Sequence, residues 1–421
     1  MRRRSWKMGT FEMIKYKLGN LCNDVVDCPH STPIWKNSGV RVIRNFNIKG
    51  GRLDFTDGYY VDEETYIART KRAIPECGDL VISREAPMGA VCIIPKRLQC
   101  CLGQRLVLLK VNKKIADPKY LCYMIQGRFV QSQIERINLT GSIVSNLNIP
   151  DLKSLIIPLP SLPIQRKIAA VLTALDDKIA LNKRINDKLE AMAKRLYDYW
   201  FVQFDFPDEN GRPYKSSGGK MVWNETLKRE IPEGWKHGTL SEIANITMGQ
   251  SPDGNTYNDI GNGIIFYQGS TDFGMRFPTV RQYTTAPSRF AQKGDILMSV
   301  RAPVGAVNIA NTDCCIGRGL AALNPKACSI SYLYFIIDTF KHTFENKNTV
   351  GTTFGSITKD ELHMLPVCIP SNIIASLFQT KTRSIFDKQL LIDKETVHLT
   401  ALRDRLLPLL MNGQVVVDGD E

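Results

Sequence analysis

Residues 78–91 read GDLVISREAPMGAV, and residues 294–307 read GDILMSVRAPVGAV. Both stretches keep the order glycine, aspartate, apolar run, serine and Ala-Pro-x-Gly, and they lie 216 positions apart. Cys100-Cys101-Leu102-Gly103 then returns as Cys314-Cys315-Ile316-Gly317, at an offset of 214. Because the matches keep their order while the offset shrinks slightly, the chain is predicted to be an internal duplication with small loop deletions.

Each half is predicted to begin with a mixed α/β domain. Its apolar runs are short and are interrupted by glycine, proline and asparagine, which is typical of strands, turns and short helices. The Ala86–Gly89 and Ala302–Gly305 segments suit tight turns, because proline fixes the first corner and glycine closes it. A chain of 421 residues, 43% of them hydrophobic, has room for two such domains.

Each half is predicted to end in a long helix. The segment Ile164–Phe201 contains neither glycine nor proline and follows Pro163, where a helix can begin. The second segment runs from about Ile373 to Met411, and Pro408 is expected to kink or end it. Apolar residues recur every seven positions in both segments, which predicts a coiled-coil seam. The seam residues are Ile168, Leu175, Asn182, Leu189, Leu196, Phe378, Ile385, Ile392, Leu399 and Leu406.

The two helices are expected to pack antiparallel, with the two domains at opposite ends of the pair. Asn182 then lies near Ile392 in the middle layer, where a polar residue fixes the register at some cost in stability. The alternative is that Asn182 faces solvent or a partner protein. The seam from Ile168 to Leu196 is about 42 Å long at the usual helical rise, and one turn of DNA is about 34 Å. The helix pair therefore suits a spacer between two groove-binding domains.

The predicted fold class is α+β, with two similar α/β domains separated by a pair of long antiparallel coiled-coil helices. The segment from Pro207 to Trp235 is polar and rich in turn residues, so it is expected to be an exposed linker. The predicted divisions are a first domain at 1–162, a first long helix at 163–204, a linker at 205–236, a second domain at 237–371, a second long helix at 372–411 and a tail at 412–421.

Charge favours a polyanionic partner. The chain has 55 Lys and Arg against 42 Asp and Glu, a formal net charge of +13, and such a surplus is typical of nucleic-acid binding. An ordinary basic soluble protein is the other interpretation of the charge. The basic start at Met1–Lys7 is followed by no apolar run of signal-peptide length, and no stretch approaches 18 apolar residues. We therefore expect a cytoplasmic protein that crosses no membrane.

Cysteine and histidine usage predicts no metal centre. The chain has 11 cysteines and five histidines, with no Cys-x-x-Cys pair and no metal-ligand spacing between the two residue types. The adjacent pairs at 100–101 and 314–315 lie in apolar segments, so buried reduced thiols are expected.

Three features carry a resemblance to a known family. The first is the helix QRKIAAVL at 165–172, continuing through LDDKI at 175–179 to YWF at 199–201. The second is Arg212-Pro213 followed by IPEGW at 231–235. The third is the twofold repeat of a domain and a long helix. Together these features resemble the specificity subunit of type I restriction-modification systems, over nearly the whole chain.

The resemblance implies a division of labour among subunits. Each α/β domain would be a target-recognition domain that reads one half of a bipartite DNA target. Two modification subunits would bind S-adenosylmethionine and methylate adenine at N6, and restriction subunits would join them to cleave double-stranded DNA with ATP and Mg²⁺. This chain would itself hold no cofactor, no metal and no catalytic residue.

The residues agree with that division. The sequence contains no Asn-Pro-Pro-Tyr or Asp-Pro-Pro-Tyr string, and Gly219-Lys220 is followed by Met221 instead of the hydroxyl residue that a phosphate loop needs. Two other hypotheses stay open at this point. One is a metal-dependent nuclease using Asp151, Asp176 and Asp177, which requires these carboxylates to converge on one cation. The other is a coiled-coil scaffold without DNA preference.

Candidate DNA contacts are polar residues beside the repeated segments. Reading base edges requires Arg, Lys, Asn, Gln, Ser or Thr side chains, while contacts to phosphate position the protein without specifying sequence. Residues that flank the repeated turn and the Cys-Cys-x-Gly segment differ between the halves, as reading two different half-sites requires. The candidates are Arg41, Arg44, Asn45, Asn47, Lys49, Arg52, Arg84, Gln104, Arg105, Thr140, Ser142, Gln268, Ser270, Arg276, Arg281, Arg301, Arg318, Thr352 and Thr353.

Overall fold

Two compact units make up the chain in the computed structural model, which describes residues 5–8, 11–140, 146–326, 328–341, 344, 355–415 and 417. Unit 1 comprises Met1–Ile179 and His398–Glu421, and unit 2 comprises Ala180–Val397. Both divisions fall inside the long helices, so each unit contains part of each helix.

Short strands form most of both units. The strands of unit 1 are β1 (Ser5–Met8), β2 (Phe11–Lys17), β3 (Cys22–Asp27), β4 (Val40–Ile43), β5 (Ile48–Lys49), β6 (Arg52–Leu53), β7 (Tyr60–Val61), β8 (Leu80–Ser83), β9 (Val91–Ile93), β10 (Cys100–Leu102), β11 (Leu106–Val111) and β12 (Ile156–Leu159). The strands of unit 2 are β13 (Met221–Asn224), β14 (Arg229–Pro232), β15 (Lys236–Thr239), β16 (Ala244–Met248), β17 (Tyr257–Asn258), β18 (Ile264–Tyr267), β19 (Tyr283–Thr284), β20 (Phe290–Ala291), β21 (Ile296–Ser299), β22 (Val307–Ile309), β23 (Cys314–Ile316), β24 (Leu320–Pro325) and β25 (Pro366–Ile369).

The helices fall into short connectors and two long segments. They are α1 (Glu63–Thr70), α2 (Pro118–Gln126), α3 (Arg128–Thr140), α4 (Ile149–Ser154), α5 (Leu162–Tyr197), α6 (Leu240–Ile243), α7 (Ile330–Thr339), α8 (Lys359–His363) and α9 (Asn372–Met411). Among the helices of the described ranges, none has an apolar run long enough to span a membrane.

The central sheet is the same in both units. Its order is β3-β11-β8-β9 in unit 1 and β16-β24-β21-β22 in unit 2, with antiparallel neighbours throughout. The register also repeats, since Leu80 lies opposite Leu109 and Ile296 lies opposite Leu323. Strands β8 and β21 are buried along their whole length, which explains their uninterrupted apolar sequence. The predicted duplication is therefore a duplication of structure.

A second sheet repeats with additions. In unit 1, β4 pairs in parallel with β10 and antiparallel with β7. In unit 2, β18 pairs in parallel with β23 and antiparallel with β19, and β17 and β20 extend the sheet. The strands that enter and leave each domain also pair alike, β2 with β12 and β15 with β25. The predicted α/β character of both domains is confirmed.

In unit 1 the two long helices run antiparallel. Arg403 of α9 donates a hydrogen bond of 3.2 Å to the carboxylate of Asp176 on α5. Leu410, seven residues further along α9, belongs to the same buried core as Ile168 and Leu172, which come earlier on α5. Later positions along α9 therefore lie beside earlier positions along α5, as in an antiparallel pair.

The same antiparallel order holds in unit 2. The amide of Asn182 donates to Glu395 at 2.9 Å and to Thr396 at 3.2 Å, while Glu190 accepts from Gln389 at 3.1 Å. Asn182 is 1% exposed, so the alternative that it faces solvent is wrong. Its partner Thr396 lies one helical turn after Ile392 on α9, so Asn182 is near Ile392 as the seam predicted.

All ten predicted seam residues are buried or half-buried. Ile168, Asn182, Phe378, Ile385 and Ile392 are buried, and the other five are half-buried. The seam is more polar than the heptad pattern indicates, because Asn186, Thr382 and Gln389 are also buried. A seven-residue apolar count does not detect such positions; Gln389 donates across the pair to Glu190, and Thr382 donates to Ser331 and to the Phe378 carbonyl of its own helix.

The helix ends differ from the sequence-based expectation. The α-helical part of the first segment ends at Tyr197, and Asp198–Val202 forms a π-helical turn, where the prediction extended the helix to 204. The second helix continues past Pro408 to Met411, so this proline does not end it.

The segment between the repeats is more ordered than the predicted exposed linker. Met221–Asn224 and Arg229–Pro232 form an antiparallel hairpin. Trp235 is buried and stacks on Phe206 with ring centroids 5.0 Å apart. The frequent glycine, proline and aspartate residues suggested a loop, but aromatic side chains anchor the segment to the core of unit 2.

The two cysteine pairs lie in the core, as expected. Cys100, Cys101, Cys314 and Cys315 are buried and unbridged. Burial raises the pKa of the Cys100 and Cys314 thiols to about 12, so both are neutral at physiological pH. These thiols contribute packing volume and not reactivity.

Candidate nucleic-acid interface

The repeated turn is held in the same way in both units. In unit 1 the Ser83 hydroxyl donates to the carbonyl of Pro87, and in unit 2 the Ser299 hydroxyl donates to that of Pro303 at 2.6 Å. The Ala-Pro peptide is cis in both turns. The polar residues that follow each serine are therefore presented from a shared backbone arrangement.

A second hydrogen bond, between backbone groups, is also repeated in both units. The Gly103 amide donates to the Ile43 carbonyl at 2.7 Å, and the Gly317 amide donates to the Tyr267 carbonyl at 2.9 Å. The residues after Ile43 and Tyr267 therefore correspond between the units. The same holds for the residues after Gly103 and Gly317, and for those after the two serines of the repeated turn. The corresponding pairs are Arg44 and Gln268, Gln104 and Arg318, Arg105 and Gly319, Arg84 and Val300, and Glu85 and Arg301. We call this region the recognition edge of each unit.

In unit 2 the recognition edge encloses a depression of about 520 Å³. Four of the sequence-predicted residues line it together, namely Gln268, Arg281, Arg301 and Arg318. All four side chains are exposed. Asp272 is the acidic residue of the lining, so three guanidinium groups face one carboxylate. The depression is suited to an anionic or electron-rich ligand.

Asp272 holds one of these arginines in place. Its carboxylate is 7% exposed and accepts a hydrogen bond from Nε of Arg281, whose side chain is 59% exposed. Sequence reasoning missed Asp272, and also Thr271 and Gln282 in the same lining. Asp272 and Arg281 are nine residues apart on a non-repetitive segment, so no periodic pattern indicates their contact.

Arg276 does not belong to this surface. Its side chain is 1% exposed, pairs with Glu190 of α5, and lies over the rings of Tyr334 and Phe386. A buried guanidinium cannot reach a groove, so the expectation of DNA contact is corrected for this residue. Ser270 is half-buried on the short turn that also carries Asp272. Thr352 and Thr353 lie outside the described residues.

The arginines on the recognition edge of unit 1 are engaged internally. Arg84 donates to both carboxylate oxygens of Asp27 at 3.0 Å and to the Leu147 carbonyl at 3.0 Å. Arg105 pairs with Glu85 at 3.0 Å. Arg84 is mostly buried, whereas the Arg105 side chain is 54% exposed. Only Arg105 of these two is therefore well placed for DNA.

Aromatic rings hold two further arginines of unit 1. The guanidinium of Arg44 lies 4.6 Å from the Tyr59 ring centroid and 4.8 Å from that of Phe46. Arg41 lies over Phe55 and donates to the Tyr60 hydroxyl at 3.0 Å. Such stacking orders a guanidinium while leaving part of it accessible.

The two candidate asparagines have different roles. Asn45 donates to the Ala86 carbonyl at 2.6 Å, which connects it to the repeated turn. Asn47 is 2% exposed and donates to the carbonyls of Asp54 and Asp57. The structure thus places Asn47 as a loop brace, which corrects its expected contact with DNA.

Lys49 and Arg52 lie on the β5–β6 hairpin and not on the recognition edge. Arg52 pairs with Asp177 of α5 at 2.6 Å. Lys49 pairs with Asp54, and the ammonium of Lys49 together with Thr56 holds the pKa of the Asp54 carboxyl well below its usual range. These two cations are thereby used within the fold.

Gln104 donates to the Thr32 hydroxyl at 3.0 Å and to the His30 carbonyl. Arg69, which sequence reasoning missed, is buried and donates to the carbonyls of Leu102 and Ser31. Together they fix the 29–32 loop beside the recognition edge. Thr140 ends α3, but its side chain and Ser142 lie outside the described residues.

The carboxylates of the nuclease hypothesis do not form a cation site. Asp176 accepts from Tyr123 at 2.6 Å and from Arg403, while Asp177 pairs with Arg52. Burial, and then the bond to Asp176, raise the pKa of the Tyr123 hydroxyl. Asp151 instead bonds the amide of Asn148, and within the described ranges no group of three metal-binding side chains occurs.

Comparison with known proteins gives one consistent family. The family model described as type I restriction modification DNA specificity domain matches residues 15–191 and 232–394. A Methanocaldococcus jannaschii protein, named as the specificity subunit of the type I restriction enzyme MjaX, is 31% identical over 90% of this chain and 88% of its own. The HindI specificity subunit of Haemophilus influenzae is 23% identical over 82% of this chain and 88% of its own.

A solved structure shares the fold. The S subunit of a type I restriction-modification system from M. genitalium aligns over the full length of both chains, with a TM-score of 0.61 and 18% sequence identity.

Proposed function

The chain belongs to the type I restriction modification DNA specificity family, and we propose that it is the subunit that reads a bipartite DNA target, with one half-site for each unit. The observation that carries this proposal is the arginine-lined depression of unit 2. Arginine and glutamine side chains on a fixed edge are the groups that recognise base pairs in a groove and contact the adjacent phosphates.

The duplication supports a split target. Both units keep the central sheet and the repeated turn, but they carry different residues at corresponding edge positions, such as Glu85 and Arg301. A shared scaffold with different polar side chains recognises two different short sequences. One chain then requires both half-sites at a fixed separation.

Partner subunits perform the chemistry in this proposal. Two modification subunits supply S-adenosylmethionine and transfer a methyl group to adenine N6, and restriction subunits supply ATP- and Mg²⁺-dependent cleavage. The chain contributes sequence recognition and no catalytic residue. Supporting this, Asp176 and Asp177 are engaged in pairs with arginines of the fold. Since the DNA that it reads is cellular DNA, we place the protein in the cytoplasm.

Mapping methylated adenines tests the proposal. The chain is expressed with its modification subunit in a host that lacks adenine methylation, and N6-methyladenine is mapped across the host genome. We expect one recurring motif made of two short half-sites with a constant gap. A culture that expresses the modification subunit alone is the control and should show no motif.

Two results would contradict the proposal. Methylation scattered without a motif would indicate a scaffold that carries no sequence preference. Cleavage of duplex DNA by the purified chain with Mg²⁺, lost in the Asp176→Ala variant, would indicate a nuclease instead.

A further inference from the structure

The depression of unit 2 presents one arginine whose Nε is held by a buried carboxylate. We propose that Arg281, braced by Asp272, reads a guanine in the half-site of unit 2. This inference rests on the proposed function and names the base that the site recognises. Guanine offers two acceptors in the major groove, N7 and O6, and a bidentate arginine is its commonest partner.

The contact with Asp272 determines which edge of the Arg281 guanidinium is available to DNA. Nε of Arg281 donates to the buried carboxylate of Asp272, so the side edge of the fork is occupied. The two terminal nitrogens at the end of the fork form no hydrogen bond with the described residues, and the side chain remains 59% exposed. The end of the fork carries two parallel N–H groups, which is the arrangement that N7 and O6 of one guanine accept.

The backbone on both sides of the brace is fixed. The amide of Thr279 donates to the Asp272 carbonyl at 2.8 Å and closes a hairpin between them. The next residue after Arg281, Gln282, accepts from the Phe266 amide at 2.9 Å, which attaches this segment to β18. Arg281 is therefore presented from a rigid element, as precise base reading requires.

Arg276 anchors the same hairpin from within the core. It lies between Asp272 and Thr279 in sequence, its carbonyl accepts from the Ile309 amide at 2.7 Å, and its side chain pairs with Glu190. The buried Arg276 thus holds the hairpin, and the exposed Arg281 follows the hairpin in sequence. This arrangement distinguishes Arg281 from a mobile surface cation.

Arg301 and Arg318 lie on the same depression, and neither forms an ion pair with any residue in the described part of the chain. Unbraced guanidinium groups beside a braced one suit contacts to the phosphates that border the base pair, which position the protein without specifying sequence. Arg281 is accordingly the specifying residue, and the two others are positioning residues.

The test uses the complex of the full chain with its modification subunits. The wild-type complex first selects duplexes from a random pool, and the selected motif identifies each guanine. Each guanine is then replaced in turn by 7-deazaguanine, which removes the N7 acceptor, and Kd is measured. We expect one position at which this replacement weakens wild-type binding by about 5- to 150-fold.

Substitutions at the brace assign that position to Arg281. Arg281→Ala removes every donor to N7 and O6, so at that guanine 7-deazaguanine should cost it little further affinity. Asp272→Asn should give a partial loss at the same position only. Lys359→Ala, on the surface helix α8, is the control and should keep the wild-type pattern. Thermal unfolding of each variant confirms that it is folded.

Two outcomes overturn the inference. If Arg281→Ala keeps the wild-type preference at every guanine and weakens all duplexes equally, Arg281 contacts phosphate. If the selected motif contains no guanine whose N7 matters, no base is read in this way. A wild-type complex that selects no motif would instead overturn the proposed function itself.

Discussion

The recognition edges of the two units differ in the partners of their arginines. In unit 1 Arg84 is tied to Asp27 and a carbonyl, and Arg105 is paired with Glu85. In unit 2 the position of Glu85 is taken by Arg301, and that of Arg105 is taken by Gly319. An acid–base pair on one edge thus corresponds to an unopposed guanidinium on the other.

The difference shows which parts of a duplicated domain are free to change. Sheet order, register, the serine-held turn and the glycine contact are the same in both units, because each buries apolar strands that tolerate little change. The side chains at the edge contribute little to that packing. Charge can therefore be reversed there, which changes the ligand while the fold is retained.

The largest effect on the free energy of unfolding should come from the buried Arg276 of unit 2. Arg276→Ala removes a buried cation and leaves Glu190 without its main partner, so we expect a loss of roughly 3–5 kcal/mol in the free energy of unfolding. Urea denaturation measures the loss, and hydrogen exchange should increase in peptides of unit 2. The double variant Arg276→Met with Glu190→Leu should recover most of it. Wild-type stability of Arg276→Ala would contradict the assignment.

Corresponding edges should respond differently to loss of an arginine. Arg84→Ala should lower the free energy of unfolding by about 1–3 kcal/mol, since Asp27 and the Leu147 carbonyl lose their donor. Arg301→Ala should change it by less than about 0.5 kcal/mol, as expected for an exposed side chain, but should weaken DNA binding. Equal stability losses would remove the distinction between the two edges.

Salt dependence sharpens the comparison further. Arg318→Ala should reduce the slope of log Kd against log salt concentration by about 0.9, the value for one lost phosphate contact. Gln104→Ala, at the corresponding position of unit 1, carries no charge and should leave the slope unchanged. Fluorescence anisotropy with a duplex carrying the selected motif measures both slopes. An unchanged slope for Arg318→Ala would place this residue away from phosphate.

The smallest effect is expected at the acid–base pair of unit 1. Glu85→Gln removes the partner of the exposed Arg105, so the free energy of unfolding should fall by less than about 1 kcal/mol. The released guanidinium and the lost negative charge should both tighten DNA binding. Weaker binding by Glu85→Gln would show that the pair itself orients Arg105 for the DNA.

The scaffold was predictable from sequence because its signals are local or periodic. The repeated segments, the Ala-Pro turns and the seven-residue seam each predict a feature that the structure contains. The order within the inter-repeat segment was not predicted because turn residues dominate its composition, while Phe206 and Trp235, which anchor it, are isolated in sequence.

The function of individual polar side chains was less accessible. Arg276 and Arg281 are five residues apart and chemically alike, yet one is buried against Glu190 and the other is exposed beside Asp272. Glu190 is 86 residues from Arg276, and Asp272 is nine residues from Arg281 on an irregular segment, so no local pattern reveals either contact. The same holds for Asn47 and Arg52, whose partners within the fold remove them from the recognition edge.

Motif mapping with two double variants tests most directly whether each unit reads its own half-site. Asn45→Ala with Arg105→Ala alters the edge of unit 1, and Gln268→Ala with Arg281→Ala alters that of unit 2. Each chain is expressed with its modification subunit, and the N6-methyladenine motif is compared with that of the wild type. We expect each pair to relax a different half of the motif, with the gap unchanged. Relaxation of both halves by either pair, or of the same half by both, would contradict the account.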